Sequence, residues 1–248
     1  MEDWKRALRL IEVIHALKGK RVVVVERSKR ADNQSHFWRR AYDDYLRAAE
    51  DILGVQIAIV KPEELLSYYE AIDVQEATGI ARKWAEEASG VVGPDETEIA
   101  KSARFYLAMK RMMADRGAVG ISVDCLALFY AGELPAYPCL GFFQLNNEGL
   151  LGACEADLEA ALTQLVGQLL TGRPGFISDP VIDTGSSQII YAHCVCHNRP
   201  FGKDGPAVPY RIRSHAEDRK GASVQVFLPP GYPLTTVKMN FLARKMAI

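Results

Sequence analysis

Arg21-Val22-Val23-Val24-Val25 is a near-continuous apolar run of strand length, four valines in a row after Arg21. Such a run suits a strand buried on both faces, which is the situation of a parallel sheet covered by helices. Working outward, residues 4–17 place Trp4, Leu8, Ile11, Ile14 and Leu17 on one helical stripe, and Gly19 ends it. On the other side a helix over 36–53 leads to Val55-Gln56-Ile57-Ala58-Ile59-Val60, a second strand of the same kind. Helical patterns follow at 62–70 and 74–88. Pro94-Asp95-Glu96 then opens a helix to about Arg116, with carboxylates in its first turn where they suit the helix dipole. Val119-Gly120-Ile121-Ser122-Val123 is a third buried strand, and Tyr137–Phe143 a fourth segment, expected to feed the site.

This alternation predicts an α/β fold, a Rossmann-like layered domain with a mainly parallel sheet over residues 20–172, preceded by a connector helix at 1–19. From 173 to 248 the character changes. Short β-rich stretches at 187–196, 207–213, 223–228 and 234–241 are separated by Gly, Pro, Asn and Asp clusters, as at the start of an antiparallel β-rich domain.

Composition narrows the function classes. Of 248 residues 48% are hydrophobic and 25% charged, which is ordinary for a globular chain, and 30 basic residues against 31 acidic ones leave no field that would recruit nucleic acid. Neither a signal peptide nor a membrane span is expected, so the predicted location is cytoplasmic. Five cysteines, an odd number in apolar surroundings, read as reduced and buried thiols. Ser28-Lys29-Arg30-Ala31-Asp32-Asn33 follows the first strand, where open α/β sheets often bind ligands, but it lacks a glycine-rich phosphate pattern, so no nucleotide cofactor is expected.

The residues that could carry chemistry come later. Cys154-Glu155-Ala156-Asp157 heads an expected helix over 156–170, and Asp179 closes the loop Pro174-Gly175-Phe176-Ile177-Ser178-Asp179. Hard oxygen donors at the ends of elements suit a divalent cation such as Mn²⁺ or Mg²⁺. Each also has a plain structural reading, Glu155 as a helix N-terminal carboxylate and Asp179 as a turn former. His193-Cys194-Val195-Cys196-His197 invites a zinc reading, but strand geometry would hold the two histidines about 13 Å apart. No second Cys or His pair supplies the spacing of a structural zinc site. The cysteines are therefore expected in the core, with His197 and His215 as weaker candidates.

The ordered set Pro138-Cys139-Leu140-Gly141, Leu145-Asn146-Asn147-Glu148-Gly149, Glu155-Ala156-Asp157, Pro174–Asp179 and His193-Cys194 resembles the L-fucose isomerase-like branch of the ketol isomerases, which also includes the L-arabinose isomerases. The resemblance covers roughly residues 90–200. It implies a Mn²⁺-dependent aldose–ketose isomerisation through an enediol, with Glu155 and Asp179 as both metal ligands and catalytic groups. His193 and Asn147 would contact a monosaccharide substrate, and a homo-oligomer is expected. Members of that family carry a further α/β domain before the region of residue 21, and a metal-binding histidine from a C-terminal segment that finds no match here. The expectations are thus a partial chain lacking its third protein ligand, and impaired catalysis. The rival reading is a non-catalytic carbohydrate-binding or assembly module on the same fold.

Overall fold

The computed structural model describes residues 3–27 and 36–248, so the Ser28–Asn33 loop lies outside the described residues. Helix α1 (Asp3–Leu17) leads into β1 (Arg21–Val25), α2 (His36–Leu53) and β2 (Gln56–Val60). Next come α3 (Pro62–Ala71), α4 (Val74–Glu87), the two-residue β3 (Val91–Val92), α5 (Glu96–Asp115) and β4 (Ala118–Val123). Then follow α6 (Cys125–Tyr130), α7 (Cys139–Asn147), β5 (Leu151–Cys154) and α8 (Leu158–Thr171). The last third holds β6 (Asp179–Asp183), β7 (Gln188–Ala192), β8 (Tyr210–Arg213), β9 (Ser223–Val226), β10 (Lys238–Asn240) and β11 (Lys245–Ala247). No described helix is long and apolar enough to cross a membrane.

Among the described residues the central sheet has four strands in the order β2-β1-β4-β5, all parallel. The four valines of β1 divide by side-chain alternation. Val23 and Val25 enter the large core built on α5 and α7, while Val22 packs with Val13, Leu17 and Leu162 on the opposite face. A parallel strand covered by helices on both sides has no wet face, which is why residues 22–25 are all valine and all buried. The small antiparallel pairs β6-β7, β8-β9 and β10-β11 follow, as expected for the last third. β8 also pairs parallel with β3, and Tyr210, Ile212 and Val224 join the same large core.

Two segments depart from the sequence reading. Residues 139–147 form α7, buried on nearly every side, and the fourth strand of the sheet is β5. A helix that is apolar all round has no amphipathic period, so at this length periodicity cannot tell it from a buried strand. The helix after β5 starts at Leu158 rather than 156, and Asp157 caps it by accepting a hydrogen bond from Ala160 N at 2.9 Å.

Glycine sets the spacing of α7 and β5. A Cβ on Gly152 would stand 2.8 Å from Phe142 Cα and 3.0 Å from its carbonyl oxygen, both backbone atoms that cannot rotate away. Gly152→Ala is therefore expected to cost roughly 1–3 kcal/mol through overpacking, measurable as a lower urea midpoint. An unchanged midpoint would mean that α7 and β5 are free to separate.

Candidate functional site

In parallel α/β sheets, ligands bind outside the carboxyl ends of the strands. Glu155 stands at that edge, immediately after β5. Its backbone and that of Ala156 are both left-handed, at φ 63° and 49°. Non-glycine residues held there cost of order 1–3 kcal/mol each and persist only where the surroundings impose them. Hydrogen bonds from Ala156 N to Val123 O (3.1 Å) and from Asp157 N to Cys154 O (3.2 Å) impose the turn. Because Asp157 does the capping, the helix-terminal reading of Glu155 falls away.

Asp179 is the first residue of β6, not a loop residue, and the turn-forming aspartate is Asp183 at the hairpin tip. Asp183 accepts hydrogen bonds from Gly185 N and from the Ser186 hydroxyl. The antiparallel register pairs Asp179 with Ala192, which brings the next residue, His193, beside it. His193 Nε2 lies 3.6 Å from Asp179 Oδ2 and 3.7 Å from Glu155 Oε1. One ligand atom from each of the three residues falls within 4.8 Å of the others. The site is open on one side and closed on the other, since the side chain of Asp179 is 82% exposed and that of His193 only 7%.

The electrostatics follow from that placement. Hydrogen bonding to His193 holds the Glu155 carboxyl below its usual range, against the opposing effect of partial burial. Burial disfavours the His193 imidazolium, but hydrogen bonds with Cys194 and Glu155 overcome it and push the group up to about 10. On its other side His193 Nδ1 lies 3.6 Å from Cys194 Sγ. Hydrogen bonds with Cys139 and Cys154 draw the Cys194 thiol well below the ordinary range, while Cys154, bonded to Cys125 and buried, is pushed up.

Residues 193–197 form a turn and loop, not a continuation of strand β7. The cysteines are free, four of the five being buried. His197 is buried, and a hydrogen bond with the Gly175 backbone ties it to the loop that leads to Asp179. Asn147 is also buried. Its Oδ1 accepts from Asn198 N at 3.0 Å, fixing the end of α7 against the chain just beyond the histidine turn. His193, expected only to line a sugar pocket, is thus the group that stands with the two carboxylates. The signal that could have found it is its place in the hairpin register rather than any spacing motif.

No family model matches the sequence. The chain is similar to a sulfoquinovose isomerase from Priestia megaterium (strain ATCC 12872 / QMB1551), 25% identical over 219 residues, covering 83% of this chain and 48% of the relative. It is also similar to sulfoquinovose isomerases from Clostridium sp. (strain MSTE9), 29% identical with 75% and 40% covered, and from Alkalicoccus urumqiensis, 24% identical with 58% and 32% covered. The chain spans about half the length of the first of these relatives. The relation is distant and lies with sugar isomerases, without singling out the L-fucose or L-arabinose enzymes.

Proposed function

We propose that this chain carries the reaction site of a divalent-cation-dependent aldose–ketose isomerase acting on a monosaccharide through an enediol. The observation that supports it most is the meeting of Glu155, Asp179 and His193 at the carboxyl edge of the sheet. The donor set fits the cation: two carboxylate oxygens and one imidazole nitrogen suit Mn²⁺, which accepts hard oxygen and borderline nitrogen ligands. Glu155, Asp179 and His193 would hold it. When bound, such an ion acts as a Lewis acid on the sugar carbonyl and its neighbouring hydroxyl.

The remaining work falls to the chain itself. Glu155 is ionised at neutral pH because its carboxyl is held low, so it starts as a base and can take the proton from one carbon and return it to the next. The walls around His193 keep water from one side of that exchange, while exposed Asp179 faces the side from which a sugar can enter. The distant sulfoquinovose isomerases support a sugar as substrate, and sulfoquinovose itself is the first to try.

Calorimetry with Mn²⁺ tests the reading. The chain is expected to show saturable binding that Glu155→Gln weakens at least tenfold, and an aldose–ketose screen then follows. Absence of binding in the intact chain would leave the non-catalytic carbohydrate-binding module as the better account.

A homo-oligomer belongs to the same proposal. Val181, Ile182, Ile189 and Ile190 of the β6-β7 hairpin are exposed, as are Trp4, Leu8, Ile11 and Ile14 of α1. Contiguous exposed apolar side chains are characteristic of protein interfaces. Light scattering is expected to give a mass above that of one chain, and a monomer at high concentration would refute it.

A further inference from the structure

Four thiols gather behind the carboxylate site. Cys125 opens α6, Cys139 opens α7, Cys154 ends β5 and Cys194 sits in the turn after β7. Cys125 Sγ lies 3.3 Å from Cys154 Sγ, and Cys139 Sγ lies 3.5 Å from Cys194 Sγ. These are contacts between free thiols, since a disulfide would hold its sulfurs about 2.05 Å apart. His215 brings a ring nitrogen within 4.8 Å of both Cys139 and Cys194 sulfurs.

The histidine is held as a ligand would be. Its ring is buried and stacked on Tyr137 at 4.4 Å, and Tyr137 is stacked on Phe129 at 3.8 Å. Its Nδ1 has no hydrogen-bond partner among the described residues and lies 3.6 Å from Asp218 Oδ1. Asp218 in turn accepts a 2.7 Å hydrogen bond from the Tyr137 hydroxyl. A carboxylate behind a histidine is the arrangement that orients imidazole ligands toward metals.

We propose that Cys139, Cys194 and His215 form a second cation site, selective for a thiophilic ion such as Zn²⁺. Its size is right: two sulfurs each about 2.3 Å from one tetrahedral ion stand about 3.8 Å apart, close to the 3.5 Å between Cys139 and Cys194. Its chemistry differs from that of the carboxylate site, because soft thiolates select zinc-like ions whereas carboxylates suit Mn²⁺. Cys139, the donor in its contact with Cys194, surrenders its proton to solvent as the ion binds, so loading releases a proton. His193 connects the two sites. Its Nδ1 lies 3.6 Å from Cys194 Sγ, while its Nε2 lies 3.7 Å from Glu155 Oε1 and 3.6 Å from Asp179 Oδ2.

Cobalt(II) substitution tests this on the reduced, metal-free chain. One equivalent of Co²⁺ is expected to produce a near-ultraviolet thiolate-to-cobalt charge-transfer band, abolished by one equivalent of Zn²⁺. Cys194→Ser and Cys139→Ser are expected to lose most of its intensity, while Glu155→Gln and Asp179→Asn, which lack only carboxylates, keep it. The readout is therefore independent of Mn²⁺ binding and of any isomerase activity. A folded wild-type chain with all five thiols titratable and no such band would overturn the proposal, as would a band unchanged in Cys194→Ser.

Discussion

Glu155→Gln is expected to lower isomerase turnover by about 10²–10⁴-fold, the range for removing a positioned acid–base group. The substitution keeps the side chain's length and the left-handed backbone at φ 63°, so it isolates the charge from the fold. It acts in two ways. An amide cannot take up and return the substrate proton, and it is a poorer ligand for a divalent cation than a carboxylate. Saturating Mn²⁺ separates the two effects, because it restores occupancy but not the base. A defect persisting at saturation places proton transfer on Glu155. Full recovery would confine Glu155 to ligation, and turnover unchanged at all Mn²⁺ concentrations would remove it from the site altogether.

The second large effect is an acid-sensitive stability set by His197. Burial pushes this imidazole down to about 4, with a hydrogen bond to the Gly175 backbone working the other way. Its folded value thus lies below the unfolded value of about 6.5. Above pH 6.5 both states are neutral here and the full stability is present. Between about 6.5 and 4 the unfolded chain takes up a proton that the folded chain refuses, and stability falls by roughly 1.4 kcal/mol per pH unit. The accumulated loss is about 3 kcal/mol, a large part of the 5–15 kcal/mol typical of a domain. Urea unfolding at pH 7.5 and pH 4 should show the wild type losing that much more than His197→Gln. Equal losses would mean that the histidine is protonated in the folded state.

His197 also bears on the site, because its bond to Gly175 braces the loop before Asp179. His193 behaves in the opposite sense. With a value raised to about 10, its favourable interactions are complete below pH 6.5 and fade only as pH rises through 10. Acid therefore acts through the burial of His197 while leaving the Glu155–His193 contact charged.

How much of this was legible depended on whether the signal was local. The valine run, the helical stripe of residues 4–17 and the acidic first turn of α5 are patterns of near neighbours, and each became the expected element. Helix α7 escaped because Cys139, Leu140, Phe142, Phe143 and Leu145 are all buried, leaving no polar face to mark a period. Strand β5 escaped because its four residues, two of them Gly and Ala, carry little strand preference. Glu155 and Asp179 stood out by residue type and position, but the third member of their group did not. The resemblance points to a histidine further downstream, while the structure puts His193 beside both carboxylates.

The sequence by itself determined that this chain builds a parallel sheet between helices, because burial on both faces leaves its mark on consecutive residues. It also marked two carboxylates as unusual, since neither lies on a helix's solvent stripe. Only the tertiary structure decided which groups meet. The β6-β7 register delivers His193 to Asp179, and the strand order sets Glu155 beside them. The placement of β5 and of the turn after β7 against α6 and α7 gathers thiols that lie far apart along the chain. Those contacts depend on pairing and packing between distant segments, and no spacing along the chain encodes them.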